Sequence, residues 1–199
     1  ICVLGLGRVG LPLASVFSTK GLKVIGVDIN EERLASIKNG KCPFHDPALQ
    51  ENLNESKRIG ALEVVNDLEK VKNVIDIIIV TVGTPTTQGN SVDYSQVFTA
   101  LEEVSKVDLR NKMLIMRSTL PPKTTTDIII PFLENKTGLK VGSDFQLAVC
   151  PERILEGKAV KEIHELPEIV GGINQISNDI VTELFKQINP CLLYTSDAA

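Results

Sequence analysis

Gly5, Gly7, Gly10 and Asp28 are the residues whose types and spacing carry the clearest chemistry in this 199-residue chain. An apolar segment at residues 1–4 precedes the run Gly5-Leu6-Gly7-Arg8-Val9-Gly10. A helical run, residues 11–20, follows it, and a second apolar run, residues 22–27, ends on Asp28. Strand, G-x-G-x-x-G turn, helix, strand and acid within about thirty residues is a dinucleotide-binding arrangement. Gly5 allows a sharp turn, Gly7 lets a pyrophosphate approach the main chain, and Gly10 lets the helix pack closely on its strand. The N–H groups and dipole at the helix start attract phosphate, with Arg8 and Val9 beside it. Asp28 can accept hydrogen bonds from both ribose hydroxyls of an adenosine and would repel a 2′-phosphate. The spacing therefore predicts NAD rather than NADP.

The elements that must position these residues alternate in period. Residues 31–39 form an amphipathic helix with Asn30 as N-cap and Gly40 as its stop. Pro47 opens a short helix through Leu53. Residues 62–65 read as a strand, 67–72 as helical, and 74–82 as a strand apolar enough to be covered on both faces. Helices are expected at 94–107, 124–133 and 177–188, and strands at 112–116, 146–150 and 169–170. This order predicts an α/β, Rossmann-type, doubly wound parallel sheet. Such sheets bind ligands beyond the strand C-termini, and the unusual residues follow the strands: Gly83-Thr84-Pro85-Thr86, Arg117-Ser118-Thr119-Leu120-Pro121-Pro122 and Cys150-Pro151-Glu152-Arg153.

Composition narrows the function. The net charge is -4 with no basic cluster, which argues against nucleic acid. The longest apolar run, 74–82, contains Asp76 and is too short to span a bilayer, so no membrane partner is expected. Cys2, Cys42, Cys150 and Cys191 lack C-x-x-C spacing, and His45 and His164 stand alone. No metal site is expected, and a reducing cytoplasm is the default setting. Cys150, ahead of Pro151 in a strand, reads as a small buried residue rather than a nucleophile. Residues are expected to be missing upstream of Ile1, and residues 190–199 follow no period and read as a non-native tail.

The ordered segments GLGRVGLPLA, VDIN with Arg33 five positions after the acid, VGTPT, STLPPKTT and PERILEGKA followed by VGG closely resemble the N-terminal NAD-binding domain of the UDP-glucose/GDP-mannose dehydrogenases. The resemblance covers residues 1–189, and its flavour is that of the UDP-N-acetylmannosamine dehydrogenase branch. It implies oxidation of a UDP-sugar at carbon 6, from alcohol to carboxylate, in two hydride transfers to NAD through a cysteine thioester. UDP-glucose is the next candidate substrate. By the same resemblance, Gly5, Gly7 and Gly10 hold the pyrophosphate and Asp28 the ribose, with Arg33 beside it. Thr84 and Thr119 lie near the nicotinamide, and Thr119 helps place the hydrolytic water. Glu152 contacts substrate and cofactor and helps activate that water, and Arg153 stands with it on the substrate side. Arg8 departs from the family, which often has a tyrosine there.

The family's catalytic cysteine, in a G-x-G-G-x-C segment, its central dimerising helix and its UDP-gripping C-terminal domain have no counterpart in the 199 residues. The resemblance implies a homodimer for the whole protein and an inactive fragment here. A β-hydroxyacid-type dehydrogenase and a non-catalytic NAD-binding module are the alternatives. The T-P-T and S-T-x-P-P loops count against the first.

Overall fold

The computed structural model describes residues 1–87, 89, 91–155 and 157–189, together with the backbone of 193–195. In chain order the elements are β1 (Cys2–Leu4), α1 (Gly10–Thr19), β2 (Val24–Val27), α2 (Glu31–Lys38), α3 (Pro47–Ile59), β3 (Leu62–Val65), β4 (Ile77–Val80), α4 (Ser95–Ser105), β5 (Met113–Met116), α5 (Ile130–Thr137), β6 (Gln146–Val149), α6 (Ala159–Glu165), β7 (Glu168–Gly172), α7 (Gln175–Lys186) and β8 (Leu193–Thr195). They build one sheet in the order β3-β2-β1-β4-β5-β6-β7-β8. The first six positions repeat the order of a dinucleotide-binding sheet, and the direction of winding reverses between β1 and β4.

Alternation along each strand sends neighbouring side chains to opposite faces. Val3, Ile79, Ile115 and Ala148 join one core with Leu11, Leu13, Phe17, Leu49, Leu53 and Phe185. Cys2, Leu4, Ile78, Val80, Leu114 and Met116 join the other with Val97, Leu101, Val104 and Leu133. Burial of both faces explains why the strands read as continuous apolar runs.

The sheet departs from the all-parallel expectation at one edge. β7 runs antiparallel to β6, pairing Ala148 with Gly172 and Val149 with Gly171, and the backbone of β8 lies parallel to β7. Strand direction depends on the path of the intervening chain, and periodicity does not encode that path. β7 extends beyond the expected 169–170 to include Gly171 and Gly172. α7 packs so closely there that a Cβ on Gly172 would meet Asn178 Oδ1 at 2.6 Å.

Other boundaries also moved. β4 begins at Ile77 rather than residue 74, because Val74 sits in a turn, its N–H donating to Val71, and is 68% exposed. α3 continues six residues past Leu53 to Ile59 and ends on left-handed Gly60. Its inward stripe includes Ser56, whose hydroxyl meets Ser18 at 2.5 Å, so a polar residue broke the apparent apolar period. The helix expected at 124–133 opens as a π turn, Thr125–Ile129, just after Lys123 at φ 70°, a left-handed conformation that is costly for a side-chain-bearing residue. The tail residues 190–192 and 196–199 lie outside the described residues, and so does Cys191.

The first turn shows why its glycines are required. Gly5 has φ +96°, and a Cβ on Gly10 would lie 1.9 Å from the Gly5 carbonyl oxygen and 2.3 Å from Thr81 Oγ1. Neither neighbour is a flexible side-chain end, since Thr81 Oγ1 is itself bonded to the Leu4 and Gly5 carbonyls at 3.0 and 2.6 Å. A Gly10→Ala substitution is therefore expected to cost about 3 kcal/mol through overpacking. Urea denaturation would show it as a lower midpoint with unchanged slope, whereas an unshifted midpoint would mean that the turn can relax.

Candidate functional site

A cleft of about 670 Å³ opens at the C-terminal ends of β1, β2, β3 and β4. It lies where the winding reverses, the place at which open α/β sheets bind ligands. Gly5 and Gly7 line it from β1, Asp28, Ile29, Asn30 and Arg33 from the end of β2, and Asp67 and Leu68 from the loop after β3. Thr81–Gly83 and the start of α4, Ser95 to Glu103, complete it. Its size suits half of a dinucleotide.

Asp28 is 6% exposed and already organised. Its Oδ2 accepts the Leu6 N–H and the Arg33 guanidinium, both at 2.7 Å, and its Oδ1 accepts the Asn30 N–H at 2.8 Å. An ionised carboxylate has about four acceptor positions, so Oδ1 retains capacity for a ribose hydroxyl. Arg33 reaches Asp28 because Asn30 caps α2, accepting the Arg33 N–H at 2.8 Å and setting the first helical turn. Ile29, missed in the sequence, is 86% exposed on the cleft wall and gives a flat base an apolar surface to cover.

The glycine turn also fits the phosphate group expected of it. Val9 is the N-cap of α1, and no side chain caps that helix, so the positive end of the dipole faces the turn. A Cβ placed on Gly7 would meet nothing within 4 Å, so space is open above the main chain at the position where a pyrophosphate must approach it. Arg8 is exposed, with its guanidinium 5.2 Å from the Phe44 ring centre.

The other expected site residues form two further groups. Thr84 donates its hydroxyl to the Thr119 carbonyl at 2.8 Å, joining the loops after β4 and β5. Ser118 adds a bond to the Val82 carbonyl at 2.6 Å. Glu152 and Arg153 follow β6 on the same edge of the sheet, but neither lines the cleft. Glu152 is engaged internally. Its Oε2 accepts Arg117 Nε at 2.8 Å, and its Oε1 accepts the Arg153 and Ile154 N–H groups at 2.6 and 2.8 Å. Glu152 does not stand at a helix start, because α6 begins only at Ala159. Arg153 is exposed and donates to the Pro167 carbonyl.

Arg117, read from the sequence only as one of the residues that follow a strand, is the centre of a buried ion-pair group. It directly follows β5 and is 2% exposed, held between Glu152 and Glu168 with Phe185 beneath it, 5.1 Å from guanidinium to ring centre. Burial alone would lower its pKa, but the charges of Glu168 and Glu152 outweigh burial and hold it above its usual value. The sequence signal was a lone cation closing the apolar run Met113-Leu114-Ile115-Met116.

Cys150 is fully buried, and burial, followed by the charge of Glu168, pushes its thiol well above the usual range. Burial likewise pushes Cys2 up to about 12. Both thiols are expected to resist alkylation by iodoacetamide at pH 8 in the folded chain and to react after denaturation. Because these folded values are raised, their contribution to stability is intact below the ordinary thiol value of 9.0 and is lost as pH climbs towards 12. Peptide mapping that found native Cys150 alkylated would reopen the question of a nucleophile in this chain. Among the described residues no His, Cys, Asp and Glu cluster could hold a metal, and no helix is long and apolar enough to cross a membrane.

The comparisons with known proteins agree with this geometry. Residues 1–189 match the model of the UDP-glucose/GDP-mannose dehydrogenase family, NAD binding domain. A UDP-N-acetyl-D-mannosamine dehydrogenase of Methanococcus aeolicus is 35% identical across the whole chain, which spans 44% of that relative. A GDP-mannose 6-dehydrogenase of Pseudomonas syringae is 32% identical over 95% of the chain and 44% of the relative. The solved UDP-D-ManNAc dehydrogenase of Pyrococcus horikoshii superposes with a TM-score of 0.92 at 32% identity, covering 100% of this chain and 47% of that one. The chain thus spans just under half the length of these relatives. The family model names NAD as the cofactor, and the winding order, the glycine turn and the carboxylate at the end of β2 fit it. The chain belongs to the UDP-glucose/GDP-mannose dehydrogenase family, as its NAD-binding domain.

Proposed function

We propose that the chain is the cofactor-binding half of a nucleotide-sugar 6-dehydrogenase that oxidises carbon 6 of UDP-N-acetylmannosamine from alcohol to carboxylate. The observation that carries this reading is the placement of Asp28, Arg33, Gly5 and Gly7 around one cleft at the reversal of winding. Full-length relatives named UDP-N-acetyl-D-mannosamine dehydrogenase support the sugar. NAD, when bound, supplies the hydride acceptor.

The chain's own residues then divide the remaining work. Gly5, Gly7 and Gly10 admit the pyrophosphate to the start of α1, with Arg8 and Val9 beside it. Asp28 Oδ1 and Arg33 hold the adenosine ribose, and Ile29 covers the base. Thr84 and Thr119, bonded to each other, order the two loops on the nicotinamide side. Glu152 and Arg153 serve the sugar side, with Arg117 holding the Glu152 carboxylate in place. Residues 1–189 form one domain. The nucleophilic cysteine, the UDP-gripping domain and the helix that pairs two subunits belong to the other half, in a cytoplasmic enzyme.

Joining this chain to that half and following NADH formation tests the proposal. The expected result is two NADH per UDP-N-acetylmannosamine, with a lower kcat/KM for UDP-glucose and GDP-mannose. One NADH per sugar would remove the two-step scheme, a higher kcat/KM for UDP-glucose or GDP-mannose would remove the substrate, and no turnover of any sugar would favour a binding module.

A further inference from the structure

Phe44 lies outside the cleft, yet it touches two of the cations that serve it. The guanidinium of Arg8 is 5.2 Å from the ring centre and that of Arg33 is 5.8 Å away. Arg8 follows Gly7, which lines the cleft. Arg33 lines it directly and pairs with Asp28 at 2.7 Å. An aromatic ring within about 6 Å of a cation attracts it through the ring quadrupole and restricts its rotamers. One ring thus holds two guanidiniums on the same side of the fold, one of them already paired with Asp28.

The loop between α2 and α3 is built to present this ring. Gln50 of α3 fixes its start, donating from Nε2 to the Gly40 carbonyl at 2.7 Å and accepting the Cys42 N–H at 2.8 Å on Oε1. Asp46 fixes its end, since its carboxylate caps α3 at the Leu49 N–H and its own N–H donates to the Phe44 carbonyl at 3.0 Å. The ring is half-buried and packs against the core on the α1 and α3 side. Its position is therefore set by the fold before any ligand arrives.

We infer that Phe44 is a positioning residue for the cofactor, holding Arg8 and Arg33 together as a preformed cationic pair for the anionic adenosine-diphosphate half of NAD. Arg8 then serves the pyrophosphate, which explains an arginine where the family often has a tyrosine. Arg33 serves the ribose edge next to Asp28. Ordering two long side chains in advance removes part of the entropy that binding would otherwise cost.

The inference rests on the reading of this cleft as the NAD site, and one set of titrations separates the two. The chain, Phe44→Leu, Phe44→Trp, Arg8→Ala and the Phe44→Leu/Arg8→Ala pair are titrated with NAD, ADP and adenosine, and the ligand-free Tm of each is recorded. Leucine preserves apolar packing and removes the ring face. Phe44→Leu is expected to keep the parent Tm and to weaken NAD and ADP alike by about tenfold, with a smaller loss for adenosine, which has the ribose that Arg33 serves and lacks the phosphates that Arg8 serves. Tryptophan should restore binding, and the loss in the double variant should fall short of the sum of the two single losses, because both changes remove the Arg8–ring contact while only Phe44→Leu also frees Arg33. If the parent binds NAD and Phe44→Leu binds it equally well, the inference falls and the site reading stands. Losses that add fully in the double variant, or weakening equal for adenosine and ADP, also overturn it. A folded parent that binds neither NAD nor ADP overturns both.

Discussion

An Asp28→Ala variant is expected to bind NAD about thirtyfold more weakly than the parent, a loss of roughly 2 kcal/mol, as when a charge-assisted hydrogen bond is removed. It is also expected to close most of the gap between NAD and NADP. The carboxylate does two things in the structure. Its Oδ1 can take a ribose hydroxyl, and its Oδ2 ties down Arg33 at 2.7 Å. Without it, Arg33 remains on the Phe44 ring with Arg8 and meets a 2′-phosphate with no opposing charge. Asp28 also accepts the Leu6 and Asn30 N–H groups, so alanine lowers stability as well. Asp28→Asn, which retains one acceptor oxygen and removes the charge, separates the two effects. Its fold should be closer to the parent while its discrimination against NADP falls. Parallel calorimetric titrations with both cofactors provide the check, and a variant that still rejects NADP as strongly as the parent would mean that Asp28 does not set the preference.

The second large effect is expected at Arg117. Replacing it with methionine should cost about 3 to 5 kcal/mol, because two buried carboxylates, Glu152 and Glu168, lose the cation between them. For a chain of this size that corresponds to a fall in Tm on the order of 10 °C. The loss is mainly that of buried charge left unpaired, so an Arg117→Met/Glu168→Gln double variant should recover part of it. The exposed pair Arg58–Glu55, at 2.6 Å, provides the contrast. Its side chains stay in water, and removing Arg58 should leave Tm nearly unchanged. Calorimetric unfolding of the four proteins decides the matter. An Arg117→Met variant as stable as Arg58→Met would show that the triad contributes nothing to the fold.

The two sites differ in how far the sequence revealed them. The cofactor turn was legible because its physics is local. Gly5, Gly7, Gly10 and Asp28 lie within 28 residues, and each is required by a turn, a close approach or a hydrogen bond that spacing alone expresses. The doubly wound sheet followed from the alternation of strands and helices, since few windings are allowed. The Arg117 triad was not legible, because its partners lie 35 and 51 positions away and meet only when β5, β6 and β7 assemble. The contacts of Phe44, in the loop between α2 and α3, were not legible for the same reason, since only the fold brings its ring to Arg8 and Arg33. α6 escaped because its seven residues mix Lys161, Glu162, His164 and Glu165 with too few apolar positions to set a period. The reversed direction of β7 left no trace in its composition. Glu152 and the cleft residues alike follow strands. The structure places them on one edge of the sheet but in separate groups.

Hydrogen exchange with and without NAD, read residue by residue on this chain, tests the central claim most directly. The account predicts added protection at residues 5–10, 28–33 and 81–83, the three segments that meet at the end of β1, β2 and β4. Protection confined to residues 151–168, around Glu152 and Arg117, would place the ligand elsewhere and contradict the account.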